Sequence, residues 1–159
     1  MVTLVKGVNC NVTYEEAVEY FETRLDAAAW DDLTDADTRS KALVTATLTL
    51  DQLNWEGCAS DDTQKLAFPR IISYFDPRLG RAVSMNGTPD RISMATFELA
   101  YHLLNNDGLL DSTGEVNDLQ LGNITLKSVS NPSLIPSHVR RIIRPLLING
   151  GSRAVWRAW

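Results

Sequence analysis

The stretch TDADTRSKALVTATLTLDQLNWEG, residues 34–57, decides the fold of this chain. It opens with a Thr and two Asp, residue types that cap a helix and carry the negative charge that a helix N-terminus favours. Side chains suited to a buried stripe then recur every three or four positions: Leu43, Ala46, Thr47, Leu50 and Leu53. The spacing predicts a helix over 34–54 that packs closely on a second helix. Gly57 ends this helix, and Trp55 is expected to fold back onto the core.

Two further helices are predicted, one on each side of this stretch. Thr13 and Glu16 form the capping-box pattern at the start of a helix over 13–26. Thr88–Pro89 is typical of the start of another helix, which ends near Asn105. Both carry an apolar stripe at helical spacing, and such a helix buries one face. We therefore expect three packed helices.

The remaining segments have other patterns. Residues 58–87 are dense in Pro and Gly, which favours an ordered loop packed against the helices. Alternation around Gly122–Asn123 predicts a short hairpin or a projecting loop. A last helix starts after Pro136 and is broken at Pro145, and Gly150–Gly151 then forms a hinge before a tail that contains two Trp.

Together these patterns predict a mainly α fold. We expect a small helical bundle of three to four helices, with a short β-hairpin or projecting loop and an extended C-terminal arm. Residues 1–136 would form the helical core, with the hairpin or loop near 109–130. Residues 137–159 would form a C-terminal helix and an arm that docks on a partner, because the last eight residues cannot bury two Trp by themselves.

Charge is distributed unevenly along the chain. The net charge is −5, yet six basic and no acidic residues lie between Leu119 and Trp159, so the first 118 residues carry about −11. An acidic body repels nucleic acid, whereas Arg with interleaved Trp can neutralise phosphates and stack on bases. Arg and Trp are also enriched where protein interfaces gain most of their binding energy. The pattern favours a contact through the C-terminal end, and a protein partner over DNA.

The sequence contains no catalytic or cofactor-binding motif. Only His102 and His138 could act as bases near neutral pH, and neither belongs to a recognisable motif. Cys10 and Cys58 fit reduced thiols better than a disulfide or a zinc site. There is no phosphate-binding glycine motif, no signal-peptide pattern and no apolar run long enough to span a membrane. We expect a protein that is not an enzyme, needs no cofactor or metal, is made in the cytoplasm and binds no membrane.

Several stretches stand out in combination: VTYEEAVEYF (12–21), TDADTRSKALVTATLTLD (34–51), WEG (55–57), QKLAFPR (64–70) and a proline-led helix containing ELA (98–100). With them the chain resembles the head-tail connector proteins of tailed phages, also called adaptor or head-completion proteins. Members are commonly labelled DnaT-like single-stranded-DNA-binding proteins. The resemblance covers residues 12–104, with a weaker match near 131–137, and the family usually has Trp where this chain has Phe68.

The resemblance implies a helical subunit that forms a ring of 12 copies beneath the portal protein of a virion. Such a ring extends the DNA channel and provides the attachment platform for nozzle or tail-tube proteins, and DNA passes through it without sequence-specific binding. The protein would then be a virion structural protein at the head-tail interface. We expect its C-terminal segment to dock on the portal, and the residues expected to make this contact are Arg140, Arg141, Ile143, Arg144, Arg153, Trp156, Arg157 and Trp159.

Two other functions stay open. The label of the family suggests a replication accessory protein that binds single-stranded DNA, and the arm would equally suit a regulator that binds another host protein. Salt separates the first of these from an adaptor. Counterion release makes DNA binding fall steeply with salt, whereas an arm held by Trp and Ile is less sensitive. A regulator would share the arm but form no ring.

Overall fold

The computed structural model describes residues 2–105, 119–121, 124–126 and 135–148. Its helices are α1 (Tyr14–Glu22), α2 (Ala28–Asp31), α3 (Ala36–Asp51), α4 (Asp90–Asn105) and α5 (Ser137–Ile143), and a 3₁₀ turn, Arg144–Leu146, continues α5. Its strands are β1 (Cys58–Ala59), β2 (Arg70–Asp76), β3 (Arg81–Gly87), β4 (Leu119–Leu121) and β5 (Ile124–Leu126). None of the described helices combines the length and the apolar composition that crossing a membrane requires.

The prediction of a mainly α helical bundle is wrong. The described residues form a mixed α/β fold, in which the helices lie with a three-stranded antiparallel sheet of order β1–β2–β3. Strands β2 and β3 pair along their full length, from Arg70 opposite Gly87 to Asp76 opposite Arg81. A separate hairpin pairs β4 with β5, where the alternating sequence predicted a hairpin or projecting loop.

The strands occupy the segment that was predicted to be an ordered loop. Its prolines and glycines lie at the ends of the strands. Pro77 and Gly80, for example, lie in the turn between β2 and β3. In that turn the Gly80 N–H donates to the Asp76 carbonyl at 2.9 Å, and Gly80 has a φ of 63°. Every second residue of β2 is buried from Ile72 onward, which is the pattern of a strand with one face on a core. The Pro and Gly signals therefore marked turns.

The helix starts follow the capping signals closely. At α1 both halves of the predicted capping box are present: the Thr13 hydroxyl accepts from the Glu16 N–H at 3.2 Å, and the Thr13 N–H donates to the Glu16 carboxylate at 2.9 Å. At α3 the cap is Asp35, one residue after the predicted Thr34, and its carboxylate accepts from the N–H groups of the first turn. These bonds satisfy amide donors that a helix start otherwise leaves unpaired.

The core lies between α3 and α4. Thr38 and Ala42 of the first half of α3 line one shallow groove together with Leu103 and Leu104 at the end of α4, so the two helices run antiparallel. Fully buried Leu43 and Leu99 belong to this layer, and Phe21, Trp30 and Phe97 add an aromatic cluster from α1, α2 and α4. Cys10 is buried against α3, whereas Cys58 is exposed on β1, and both thiols are free.

The C-terminal helix is part of this core. Val139, Ile143 and Leu146 have no exposed surface, and α5 packs on α4. Residues 135–148 therefore share the core with the preceding helices, and the division into residues 1–136 and 137–159 stays a prediction. Of the predicted arm, residues 149–159 lie outside the described residues.

A turn at residues 54–57 joins α3, the sheet and the C-terminal segment. The Trp55 indole is buried, as predicted, and its N–H donates to the Leu50 carbonyl at 3.1 Å. The Glu56 N–H donates to the Leu146 carbonyl at 2.9 Å, and the Ile148 N–H donates to the Asn54 carbonyl at 3.0 Å.

Arg70 at the start of β2 fixes the same turn from the other side. Its guanidinium donates to the carbonyl oxygens of Trp55, Glu56 and Gly57, at 3.3, 2.9 and 2.7 Å. Gly57 has a φ of 75°, and a Cβ there would overlap the carbonyl oxygen of Ile71. The turn thus requires glycine both for its dihedral angle and for its contact with β2.

Replacing Gly57 with Ala should destabilise the protein by about 3 kcal/mol or more, because backbone strain adds to a collision with the backbone of β2. Gly80→Ala is the matched control: Gly80 also has a positive φ, of 63°, but nothing lies within 4 Å of its Cβ position. It should cost only about 1 kcal/mol. Urea unfolding of both variants measures the difference, and equal losses would contradict the role given to the Ile71 contact.

Candidate functional site

The outer face of the sheet carries exposed apolar side chains. Ile71 and Phe75 alternate with the buried residues of β2, and they are 51% and 60% exposed. Small or polar residues lie opposite them on β3, with Asn86 paired to Ile71 and Ala82 paired to Phe75. No described element covers this face. It therefore offers an apolar surface that includes the aromatic ring of Phe75, a composition that suits binding.

An open groove adjoins this face, between the end of β2 and the C-terminal segment. Its volume is about 620 Å³, and it is lined by Glu56, Ser73, Tyr74, Phe75, Pro77, Arg141, Arg144, Pro145 and Leu147. Two arginines, one glutamate and the exposed Phe75 thus line one concave surface. We call this surface the Arg–Phe groove.

A buried ion pair positions the C-terminal helix beside the sheet. Arg91, in the first turn of α4, donates through Nη2 to Asp76 Oδ1 and through Nη1 to the Ile142 carbonyl, both at 3.2 Å. The Asp76 carboxylate is almost fully buried at the end of β2. One guanidinium thus connects β2, α4 and α5. It fixes the position of Arg141 and Arg144 relative to Phe75.

Asp76 is held in its charged form. Hydrogen bonds from the Arg78 side chain and backbone, together with the bond from Arg91, lower the pKa of Asp76 from its usual 3.8 to about 2. The carboxylate therefore stays ionised over the whole neutral and mildly acidic range. The Asp76 carboxylate is a fixed negative charge of the folded structure, and it cannot donate a proton at neutral pH.

A second polar cluster surrounds Glu98 and joins α1, α4 and α5. The Tyr20 hydroxyl and Arg24 Nη1 donate to Glu98 Oε1 at 2.5 and 2.8 Å, and His138 Nε2 lies 3.8 Å from Glu98 Oε2. Burial and the Glu98 carboxylate raise the pKa of Tyr20 to about 12, so this phenol remains a donor. The ring of His102 lies 6.2 Å from that of His138. These contacts give the cluster a structural role, that of linking the helices.

No metal site is formed by the part of the chain that the structure describes. None of its His, Cys, Asp and Glu residues come together in a group of three or more that could hold an ion. The Arg–Phe groove instead contains charged side chains and an aromatic ring. Such groups bind anions and flat rings.

The residues predicted to contact a partner fall into three groups. Arg140, Arg141 and Arg144 are exposed, and the last two line the Arg–Phe groove. Ile143 is fully buried in the described residues, unlike the three arginines, and its contact with a partner stays a prediction. The other four, Arg153, Trp156, Arg157 and Trp159, lie outside the described residues.

Sequence reasoning missed the residues that complete the groove. Ile71 and Phe75 were assigned to a loop, because the strand that presents them was not recognised. The signal was present in RIISYFD, residues 70–76, where β-branched and aromatic residues follow one another between two prolines. A strand there would have placed Ile71, Ser73 and Phe75 on one face.

Comparison with known proteins identifies one relationship. Residues 2–158 match a protein-family model described as "Putative DnaT-like ssDNA binding protein". No curated protein and no solved structure matches the chain.

Asp76 should make the free energy of unfolding depend on pH in the acidic range. Because its folded pKa is lowered, the stabilisation is complete above about pH 4 and is lost as the pH falls towards 2. Asp76→Asn should be less stable than the wild type at pH 7, and its urea midpoint should change less between pH 4 and pH 2.5. Asp62→Asn, a change at an exposed carboxylate, is the control and should keep the wild-type profile. An unchanged acid limb in Asp76→Asn would contradict the assignment.

Proposed function

Because the chain belongs to the family of DnaT-like single-stranded-DNA-binding proteins, we propose that it binds single-stranded DNA through the Arg–Phe groove. The description of the family supports this function more directly than the head-to-tail adaptor role that the sequence resemblance implied. The proposal concerns binding and involves no chemical step.

The observation that carries the proposal is the meeting of Arg141, Arg144 and Phe75 in one groove. Proteins that bind single strands without sequence preference combine cationic side chains along the phosphate backbone with aromatic rings on which bases stack. Phe75 is 60% exposed and projects from a rigid strand, so a base can reach its ring. The two arginines lie on α5 and the 3₁₀ turn, whose position relative to Phe75 is fixed by Arg91.

The electrostatics of the rest of the chain limit the expected affinity. Glu56 lines the same groove, and the net charge of the whole protein is −5. A short cationic surface on an acidic body attracts phosphates only at close range, because salt screens charges beyond about 10 Å at 0.1 M. We therefore expect weak binding that decreases with salt and covers only a few nucleotides.

Fluorescence anisotropy with a labelled oligothymidine tests the proposal. Phe75→Ala should weaken binding by roughly 5- to 150-fold at low salt, the range expected for one lost base–aromatic stack of ~1–3 kcal/mol. Arg141→Ala and Arg144→Ala should each lower the slope of log K against log salt by about 0.7, because each removes one phosphate contact.

Lys41→Ala is the charge-matched control for these variants. Lys41 is exposed on α3, pairs with Asp37 and does not line the groove. It should leave affinity and salt slope unchanged. Binding that is absent at low salt, or equally weakened by Lys41→Ala and the two arginine variants, would overturn the proposal.

The exposed sheet face supports a second candidate function, that of a virion head-to-tail adaptor. Ile71 and Phe75 form an apolar surface beside exposed arginines, and such a surface also suits a dry protein contact. In this case the sheet face would contact the portal or a tail protein, and the copies would form a ring. The acidic body would repel DNA in the channel instead of binding it.

Co-sedimentation with purified portal rings tests this second candidate. Wild-type protein should pellet with the rings at both moderate and high salt, and Ile71→Ser with Phe75→Ser should abolish pelleting, because apolar contacts are insensitive to screening. Leu48→Ser replaces an equally exposed apolar residue on α3 and should pellet like the wild type. Absence of the wild-type protein from the pellet would exclude this function.

A further inference from the structure

Glu56 is the single acidic residue among the described residues that line the Arg–Phe groove, which it shares with Arg141 and Arg144. In the part of the chain that the structure describes, its carboxylate accepts no hydrogen bond and forms no ion pair, even with these two arginines. A carboxylate without a partner keeps its full capacity to accept hydrogen bonds from a ligand.

The backbone of Glu56 is held on two sides. Its N–H donates to the Leu146 carbonyl at 2.9 Å, and its carbonyl accepts from Arg70 Nε at 2.9 Å. Both backbone groups are thus occupied, so the side chain carries the polar atoms of Glu56 that remain for a ligand in the groove. Because the backbone is fixed before binding, little conformational entropy is lost when a ligand orders this residue.

The groove is large enough for one base to contact both Phe75 and Glu56. Its volume is about 620 Å³, within the range of ~300–1,000 Å³ that is typical of sites for small ligands. Phe75 is exposed on β2, and its ring offers a flat face on which a base can stack. Stacking occupies the face of a base and leaves its edge free for a polar group such as Glu56.

A carboxylate distinguishes the four bases by their hydrogen-bonding edges, because an ionised carboxylate accepts hydrogen bonds and donates none. Guanine presents two adjacent donors, N1–H and the N2 amino group, so both carboxylate oxygens are used at once. Cytosine and adenine present one amino group beside a ring nitrogen that accepts. Thymine presents N3–H between two carbonyl oxygens that repel a carboxylate. The edges therefore favour guanine most and thymine least.

We propose that Glu56 gives the Arg–Phe groove a preference for guanine in single-stranded DNA. The Glu56 carboxylate accepts from N1–H and the N2 amino group of a guanine that stacks on Phe75, while Arg141 and Arg144 contact the flanking phosphates. A thymine in the same position leaves the carboxylate facing carbonyl oxygens, which lowers its affinity. The inference rests on the proposed function and deepens it, because it names the base that the same groove selects.

Fluorescence anisotropy with labelled oligonucleotides of equal length tests the inference. One strand contains thymine alone, and a second alternates thymine with guanine so that no two guanines are adjacent. At the same low salt the wild type should bind the guanine strand about 10-fold more tightly, within the range of one bidentate contact to a base. A third strand carries hypoxanthine in place of guanine and so lacks the N2 amino group. It should bind roughly 5-fold less tightly than the guanine strand, the loss expected for one hydrogen bond.

Glu56→Gln keeps the size of the side chain and removes its charge. It should abolish the preference for guanine and weaken binding to the guanine strand. Binding to oligothymidine should become roughly 2- to 5-fold tighter, because a surface charge that repels phosphates is lost. Misfolding would weaken binding to both strands, so effects of opposite sign identify a role in recognising the base. Glu22→Gln is the matched control: it changes the net charge equally at an exposed position of α1 outside the groove, and it should keep the wild-type preference.

The outcomes separate this inference from the proposed function. Equal binding of the wild type to the thymine and guanine strands, or a preference that survives Glu56→Gln, would overturn the inference and leave the proposed function standing. Full preference for hypoxanthine would also overturn it, because the base would then be recognised through O6 and N7, the atoms that arginine contacts. Absence of binding to every strand would overturn the proposed function and the inference with it.

Discussion

The hydrogen bonds made by the backbone of residues 54–57 hold the rest of the structure in place. Asn54 and Glu56 bond to the backbone of residues 146–148, Arg70 bonds to three successive carbonyl groups of the turn, and Gly57 lies directly against β2. The turn therefore determines how the helices, the sheet and α5 meet. The Arg–Phe groove depends on it, because that groove lies between β2 and residues 141–147 and includes Glu56 of the turn.

The helices were predictable from sequence because their signals are local. Thr13 with Glu16 and Asp35 with the N–H groups after it act within four residues, and the apolar stripes of α3 and α4 follow directly from helical spacing. The sheet was missed because the Pro and Gly residues of 58–87 were taken to indicate a loop. That these residues lie at the ends of strands depends on how the strands pair, which the local sequence does not show. The burial of Asp76 could not be read from sequence, since its partner Arg91 comes from another element. The burial of Ile143 likewise follows from how α5 packs on α4, which an amphipathic pattern alone does not specify.

The charged residues of this protein are separated in space. The acidic residues and the arginines near the C-terminal end are distinct in sequence. The fold brings Arg141 and Arg144 into the same groove as Phe75, while carboxylates line a separate groove between α1 and α4. Neutralised phosphates and stacked bases would explain the surface that Arg141, Arg144 and Phe75 line. The same separation would also allow a protein partner to bind the sheet face without drawing DNA onto the acidic body.

The two cysteines differ in accessibility, so the reactivity of one can be measured against that of the other. Cys10 is sealed beneath α3, where its sulfur lies 3.4 Å from the Thr47 hydroxyl, whereas Cys58 lies open on β1 opposite Ile71. A thiol reagent reacts with Cys58 at a rate set by chemistry alone, but it reaches Cys10 only when the layer around α3 opens. The ratio of the two rates within one molecule therefore reports the population of the opened state, with the exposed thiol as an internal reference.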